Sequence, residues 1–356
     1  MRQEIQFCTT RDGIRIAFAK AGKGPPLVRV ANWFTHLEID WDSAIWRHWF
    51  EVLAEGRTLI RYDPRGCGLS DRNVEDFHLD AWVSDLEAVV DAAGLQRFPL
   101  FGLCQGGAVA VAYADRHPDR VSRLVLYDSY LCGPYAEGSD ERLQKQAHAL
   151  AQMIEVGWGR ESGAFREVFA NLLIPDASKE QLRWIGELQR RSTSPTNACR
   201  LWNAFNAFDI RAEAAKVKVP TLIFHVRGDA MVPFEAGRRL AAAIPNARFV
   251  PLEGKNHILL ANEKAWNNFK NELNDFLKAD EPTEIVSEGN LNALSPRERD
   301  ILDCIARGLA NADIARTVGI SEKTVRNHIT TIFSKLAVEH RSQAIVAARK
   351  AGFGRD

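Results

Sequence analysis

Short apolar runs recur along the chain: PLVRVA (26–31), TLIRYD (58–63), FPLFGL (98–103), RLVLYD (123–128), TLIFHV (221–226) and ARFVPL (247–252). Their length and β-branched content predict strands. Between several of them lie stretches with helical spacing, such as LDAWVSDLEAVVDAAG and GGAVAVAYADRHPD. Strands separated by helix-length segments need crossovers, so the pattern predicts an α/β fold around a mostly parallel, doubly wound sheet. The alternation stops between about Leu131 and Ala215. Leu143, Ala147, Leu150 and Ile154 share one helical face there, and further helical patterns cover 160–173, 178–192 and 196–206. A helical cap over the sheet is expected at 131–215. Its Trp158, Trp184 and Trp202 are candidate pocket residues, with plain core packing the alternative for each.

Residues 278–293, KADEPTEIVSEGNLNA, are acidic and polar and predict a linker. Beyond them come four short helical patterns with no strand. The domains are therefore expected at 1–277 and 294–356. A chain of 356 residues suits two domains, and its balanced charge hides an asymmetry. From Asn290 to Asp356 there are 11 Lys and Arg against 7 Asp and Glu, leaving 35 against 39 elsewhere. A mildly basic module on an acidic body suits a nucleic-acid partner. The six scattered cysteines form no C-x-x-C pair, which argues against a zinc site or a disulfide framework. No metal or cofactor is expected. The first residues carry no signal-like apolar region and no run approaches a membrane span, so a cytoplasmic protein is expected.

The stretch FGLCQGGA (101–108) has the form Gly-x-nucleophile-x-Gly, with Cys104 in the central place. A strand that turns sharply into a helix exposes such a side chain, and glycines around it permit the close backbone approach. Asp229 follows one later strand and His257 another. The chain order nucleophile, acid, histidine suits a triad in which His257 takes the thiol proton and Asp229 orients the ring. Asp128, at the end of RLVLYD, is an alternative acid.

On these residues, with the turn YDPRGCGLSD (62–71), residues 1 to about 277 resemble the α/β-hydrolase fold. The cysteine nucleophile resembles that of dienelactone hydrolases, which implies an activated ester or lactone as substrate. The resemblance also implies an oxyanion hole from the backbone N–H groups of Trp33 and Gln105, with Trp33, Cys104 and His257 lining the pocket. Two departures stand out. Ala31-Asn32 replaces the usual His-Gly before Trp33, and Lys255-Asn256 replaces Gly-Gly before His257.

LSPRERDILDCIARGL opens with Ser295, Pro296 and Glu298, a capping box. A second helix, a turn at Gly319 and a helix capped by Ser321 follow, and Ile314, Val318, Ile320, Val325, Ile329 and Phe333 supply a small core. Arg326, Asn327 and Thr330 fall on or near the opposite face, where Arg and Asn can read guanine and adenine edges. Lys323 and Thr324 at the helix start suit phosphates. Leu294–Phe353 resembles the LuxR-type (NarL/FixJ-like) helix-turn-helix, which implies a homodimer on double-stranded, pseudo-palindromic DNA with 341–351 at the dimer contact. The combined expectation is a one-component transcription regulator sensing a mostly apolar or aromatic small molecule, with slow acylation or hydrolysis at Cys104. The rival is an active thiol esterase or lactonase whose DNA module serves autoregulation.

Overall fold

Strands β1 (Gln3–Thr9), β2 (Arg15–Gly22), β3 (Pro26–Arg29), β4 (Thr58–Tyr62), β5 (Phe98–Leu103), β6 (Val121–Tyr127), β7 (Thr221–Val226) and β8 (Arg248–Leu252) form one sheet in the computed structural model. Their order is β1-β2-β4-β3-β5-β6-β7-β8. From β4 to β8 all pairings are parallel, while β1 with β2 and β2 with β4 are antiparallel. The structure describes residues 1–160, 163–278, 293–336, 338 and 341–354. The chain divides into two compact units, Met1–Lys278 and Ala279–Asp356. The linker expected at 278–293 falls, from 279 to 292, outside the described residues.

The six runs read as strands are strands, each within a few residues of its expected ends. The central ones are mostly apolar because helices cover both faces; all six residues of β7 are buried. The antiparallel pair β1 and β2 was not expected. β1 lies at the sheet edge and is mostly exposed, so its sequence lacks an apolar run.

One face is sealed by α1 (Leu37–Trp41), α2 (Arg47–Leu53) and α11 (Lys264–Lys278), with α3 (Leu79–Ala92) and α4 (Gln105–Arg116) elsewhere on the sheet. Trp49 stands among Phe101, Tyr127, Trp266 and Phe269 at ring separations of 4.8–6.3 Å. Its indole N–H donates to Leu259 O at 3.0 Å, which ties the chain just beyond His257 to this core.

The cap comprises α5 (Glu141–Gly157), α6 (Gly163–Leu173), α7 (Lys179–Ser192), α8 (Pro195–Asn206) and α9 (Arg211–Ala214). Each of α5, α7 and α8 begins at a residue whose side chain accepts from the first turn: Asp140, Ser178 and Ser194. The cap is bonded to the sheet-side loops: Thr193 Oγ1 donates to Gly66 O at 2.6 Å and Asn197 Nδ2 to Arg72 O at 2.8 Å. After α10 (Phe234–Ala243), in the sheet unit, and α11, the second unit holds α12 (Pro296–Ala306), α13 (Asn311–Val318), α14 (Glu322–Leu336) and α15 (Arg341–Lys350). Ile301, Ile305, Ile314, Val325, Ile332 and Leu336 are fully buried in its core. Val318, Ile320, Ile329 and Phe333 pack around them half-buried, so Ile332 and Leu336 carry more of the core than the spacing implied.

Candidate functional site

Cys104 lies between the end of β5 and the start of α4, with φ 52° and ψ −126°. A non-glycine residue in that region is strained and persists only where its surroundings enforce it. The enforcement is visible on every side. A Cβ on Gly102 would lie 2.7 Å from Gly107 Cα, one on Gly106 2.8 Å from Ala31 O, and one on Gly107 2.1 Å from Ser129 Oγ. Gly106 in particular lets the turn press against the loop after β3, which carries Trp33. Gln105 is the first residue of α4. Among the described residues, the backbone N–H groups of Trp33 and Gln105 meet no protein acceptor.

His257 is buried, with Nδ1 2.7 Å from Asp229 Oδ2. The other oxygen of Asp229 accepts from the N–H groups of Met231 (2.8 Å) and Val232 (3.2 Å), so the carboxylate is fixed in orientation. Asp128 stands close by at φ 44°, its Oδ1 accepting from Val226 N–H at 2.7 Å and its Oδ2 3.7 Å from His257 Nδ1. The acid in hydrogen-bond contact with the ring is thus Asp229. Burial, and then the neighbouring charge of Asp229, push the Asp128 carboxyl well above the usual carboxylate range. For His257, burial favours the neutral ring, but the charges of Asp229 and of a thiolate at Cys104 outweigh it and lift the imidazole well above its ordinary range. His257 thus has the Asp229 carboxylate in hydrogen-bond contact and the Cys104 sulfur among its neighbours.

Cys104 and His257 open onto a cavity of about 540 Å³ beneath the cap. Trp33, Cys104, Gln105, Trp202 and His257 line it, whereas Trp158 and Trp184 do not. Trp158 lies one layer behind, its ring 5.2 Å from that of Trp33 and its indole N–H bonded to Thr193 O at 3.3 Å. Trp184 is half-buried against the core. Helical periodicity places a tryptophan on an apolar face without telling whether that face meets a cavity or a neighbouring helix. Phe34, Asp40 and Tyr130 line the cavity and were not picked out from sequence. Phe34 and Tyr130 follow β3 and β6 closely, and positions past the carboxyl ends of parallel strands are the signal that could have found them. Burial, opposed by Arg61 and Arg29 and reinforced by Asp63, pushes Asp40 up to about 7.

The turn at 63–70 is scaffold for this site. Asp63 accepts from Thr35 Oγ1 (2.8 Å) and from the N–H groups of Leu37 (3.1 Å) and Leu69 (2.9 Å), pinning the loop that carries Trp33. Gly68 makes room, since a Cβ there would sit 2.0 Å from Asp63 Oδ2. Both departures from the hydrolase pattern have structural roles. Asn32 Oδ1 accepts at 2.5 Å from the guanidinium of Arg29, a buried cation lying over the Trp46 ring. Asn256 accepts from Asp176 N–H in the cap at 3.0 Å and donates to Glu263 Oε1 at 2.9 Å, locking the His257 loop under the cap.

In the second unit, Lys323, Arg326, Asn327 and Thr330 stand exposed at helical spacing on α14, opposite buried Val325 and Ile332, with Thr324 half-buried. Ser321 Oγ accepts from Thr324 N–H at 3.1 Å and caps this helix. Lys335 is held by Glu298 at 2.7 Å, joining the end of α14 to the capping box of α12. The bond to Lys335, then that from Ser295 N–H, draws Glu298 down to about 2. A depressed carboxylate stabilises fully above its unfolded value, about 4.3, and loses that effect as pH falls toward 2. Lys335→Met should cost α12 about 1 kcal/mol of local stability near pH 7 and almost nothing at pH 2. Amide exchange of residues 296–306 measures the difference.

Comparisons with known proteins agree with this architecture. The alpha/beta hydrolase fold family matches residues 36–264, and the bacterial regulatory proteins of the luxR family match residues 292–348. The chain belongs to the alpha/beta hydrolase fold family and carries a luxR-family helix-turn-helix, a DNA-binding regulatory domain, after it. It is similar to the AB hydrolase superfamily protein YisY of Bacillus subtilis, 25% identical over 72% of this chain and 94% of that protein. It is also similar to the non-heme chloroperoxidase CPO-A1 of Kitasatospora aureofaciens, 26% identical over 77% and 99%. The crystal structure of a bromoperoxidase from Bacillus anthracis shares the fold with a TM-score of 0.65 at 24% identity, covering 77% of this chain and all of that one. Among the described residues no helix is long and apolar enough to cross a membrane.

Proposed function

We propose that the protein is a transcription regulator that binds DNA through its helix-turn-helix, as a dimer on a pseudo-palindromic site, and senses a small acyl compound held over Cys104. The observation that carries this reading is His257, fixed by Asp229, in the cavity that Cys104 also lines, on a chain that bears a luxR-family domain. His257 takes the Cys104 proton as sulfur attacks an ester or lactone carbonyl, and the Trp33 and Gln105 N–H groups receive the developing oxyanion. The carbon–oxygen bond breaks, the leaving oxygen takes the proton from His257, and a thioester remains on Cys104. Water, deprotonated by His257, then releases the acid and restores the thiol. A slow second step makes the thioester a lasting record of exposure, and DNA affinity changes with it if the two states bind DNA differently.

The test is to treat the full-length protein with 4-nitrophenyl butyrate, follow its intact mass, and capture genomic DNA before and after. A persistent butyryl group with altered DNA capture is expected. No specific DNA capture in either state would sink the reading. The oriented histidine also favours a second reading, an active thiol esterase or lactonase whose DNA domain serves autoregulation. Rapid turnover with no accumulating adduct, and DNA capture indifferent to ester, would decide for it.

Within the first reading, Arg326→Ala should relax preference at one base pair per half-site, a change of about 1–3 kcal/mol in discrimination. Lys323→Ala should weaken all sequences alike and flatten the salt dependence. Equal effects of both changes on specificity, measured by binding to a randomised DNA pool, would contradict this docking.

A further inference from the structure

The residues that line the cavity beside Cys104 carry more hydrogen-bond donors than one carbonyl oxygen employs. Gln105 is 4% exposed and its Nε2 finds no partner; Trp33 is 7% exposed and its indole Nε1 is likewise unpartnered. Both residues line the cavity. Other buried donors around it are satisfied by protein: Trp202 Nε1 donates to Ala147 O at 2.9 Å, and Asn206 Nδ2 to Trp202 O at 2.7 Å. Buried polar groups are nearly always paired, so two orphaned donors on residues that flank the nucleophile call for an acceptor within the cavity. The backbone N–H groups of the same two residues are already committed to the acyl oxygen under the proposed function. Leu150, Leu173, Ile185 and Leu188 line the same cavity and offer only apolar contact.

Resting on the reading of Cys104 as acyl acceptor, we infer that the ligand is an acyl compound with a second hydrogen-bond-accepting oxygen close to its carbonyl, on an otherwise apolar body. The Gln105 side-chain amide selects it, with the Trp33 indole N–H in support. An acyl group without that oxygen leaves Gln105 Nε2 unpaired in the occupied cavity, and sites built to hydrogen-bond a ligand reject analogues lacking the partner.

An isosteric pair of probes isolates this effect. Butyryl and methoxyacetyl groups differ only in a CH₂ replaced by oxygen, two atoms from the carbonyl carbon. The pre-steady-state rate of Cys104 acylation by the two 4-nitrophenyl esters is measured on the full-length protein and on Gln105→Met. Dividing the methoxyacetyl-to-butyryl ratio of the first by that of the second cancels intrinsic ester reactivity and any uniform loss of rate. The quotient should be about tenfold, the effect of one net hydrogen bond. Trp33→Phe keeps the ring and the backbone N–H, provides an independent variant should Gln105→Met fold poorly, and should give about threefold. Quotients within twofold of unity for both variants, with Cys104 still acylated, would overturn the inference alone. Absence of acylation by either ester would overturn the acyl-acceptor reading and this inference with it.

Discussion

Cys104→Ala protein is expected to gain no acyl group from 4-nitrophenyl butyrate under conditions that modify the native chain completely. Five other cysteines are present, but Cys104 alone among them stands at a strained turn beside the His257–Asp229 pair. His257→Gln should slow acylation by about 10²–10⁴, the usual worth of a positioned general base. Asp229→Asn should slow it too, because the amide gives the ring a different partner at Nδ1. Asp128→Asn should cost less, since Asp128 stands 3.7 Å from the same nitrogen against 2.7 Å for Asp229. Intact mass and the rate of nitrophenolate release report all four. Acylation of the Cys104→Ala chain at an unchanged rate would remove Cys104 from the chemistry.

The second large effect is on stability. Arg65 and Asp85 are both completely buried, and the guanidinium meets Asp85 at 2.8 Å and Asp12 at 2.7 Å. Asp85 also accepts from the Arg65 backbone N–H at 3.0 Å, so the pair closes the turn from which Asp63 holds the Trp33 loop. Arg65→Leu leaves the Asp85 carboxylate buried without its cation. Breaking a buried pair from one side costs about 3–5 kcal/mol, which should appear as a lower denaturant midpoint for the hydrolase unit. Burial already raises the Asp85 pKa despite Arg65. Without the guanidinium it rises further, so the loss should be greatest near neutral pH and ease as pH falls and Asp85 takes a proton. Arg65→Leu with Asp85→Asn should recover most of the difference at pH 7. An equal loss in the single and double variants would show that the charge of Asp85 is not the cause.

Asn32 and Asn256 show how far a pattern from sequence reaches. Each departs from the hydrolase motif, and nothing in the sequence says why. In three dimensions Asn32 receives a bond from buried Arg29, and Asn256 joins the histidine loop to the cap. Both partners are set by strand packing and cap placement, and neither lies within the motif. Asp229 was the acid expected from sequence, with Asp128 the alternative, and it is the loop after β7 that brings Asp229 to 2.7 Å from His257 while Asp128 stays at 3.7 Å.

The sequence by itself determined the local features. Short apolar runs become strands, capping boxes start α7 and α12, glycines permit the turn at Cys104, and periodicity exposes Lys323, Arg326, Asn327 and Thr330 on one helix face. Each follows from interactions within a few residues, which spacing records directly. The tertiary structure alone decided which tryptophans meet the cavity, how close Asp128 and Asp229 each come to His257, and that Gln105 Nε2 and Trp33 Nε1 are buried without a protein partner. Those outcomes depend on how distant segments come together, and burial and partnership belong to the packed assembly.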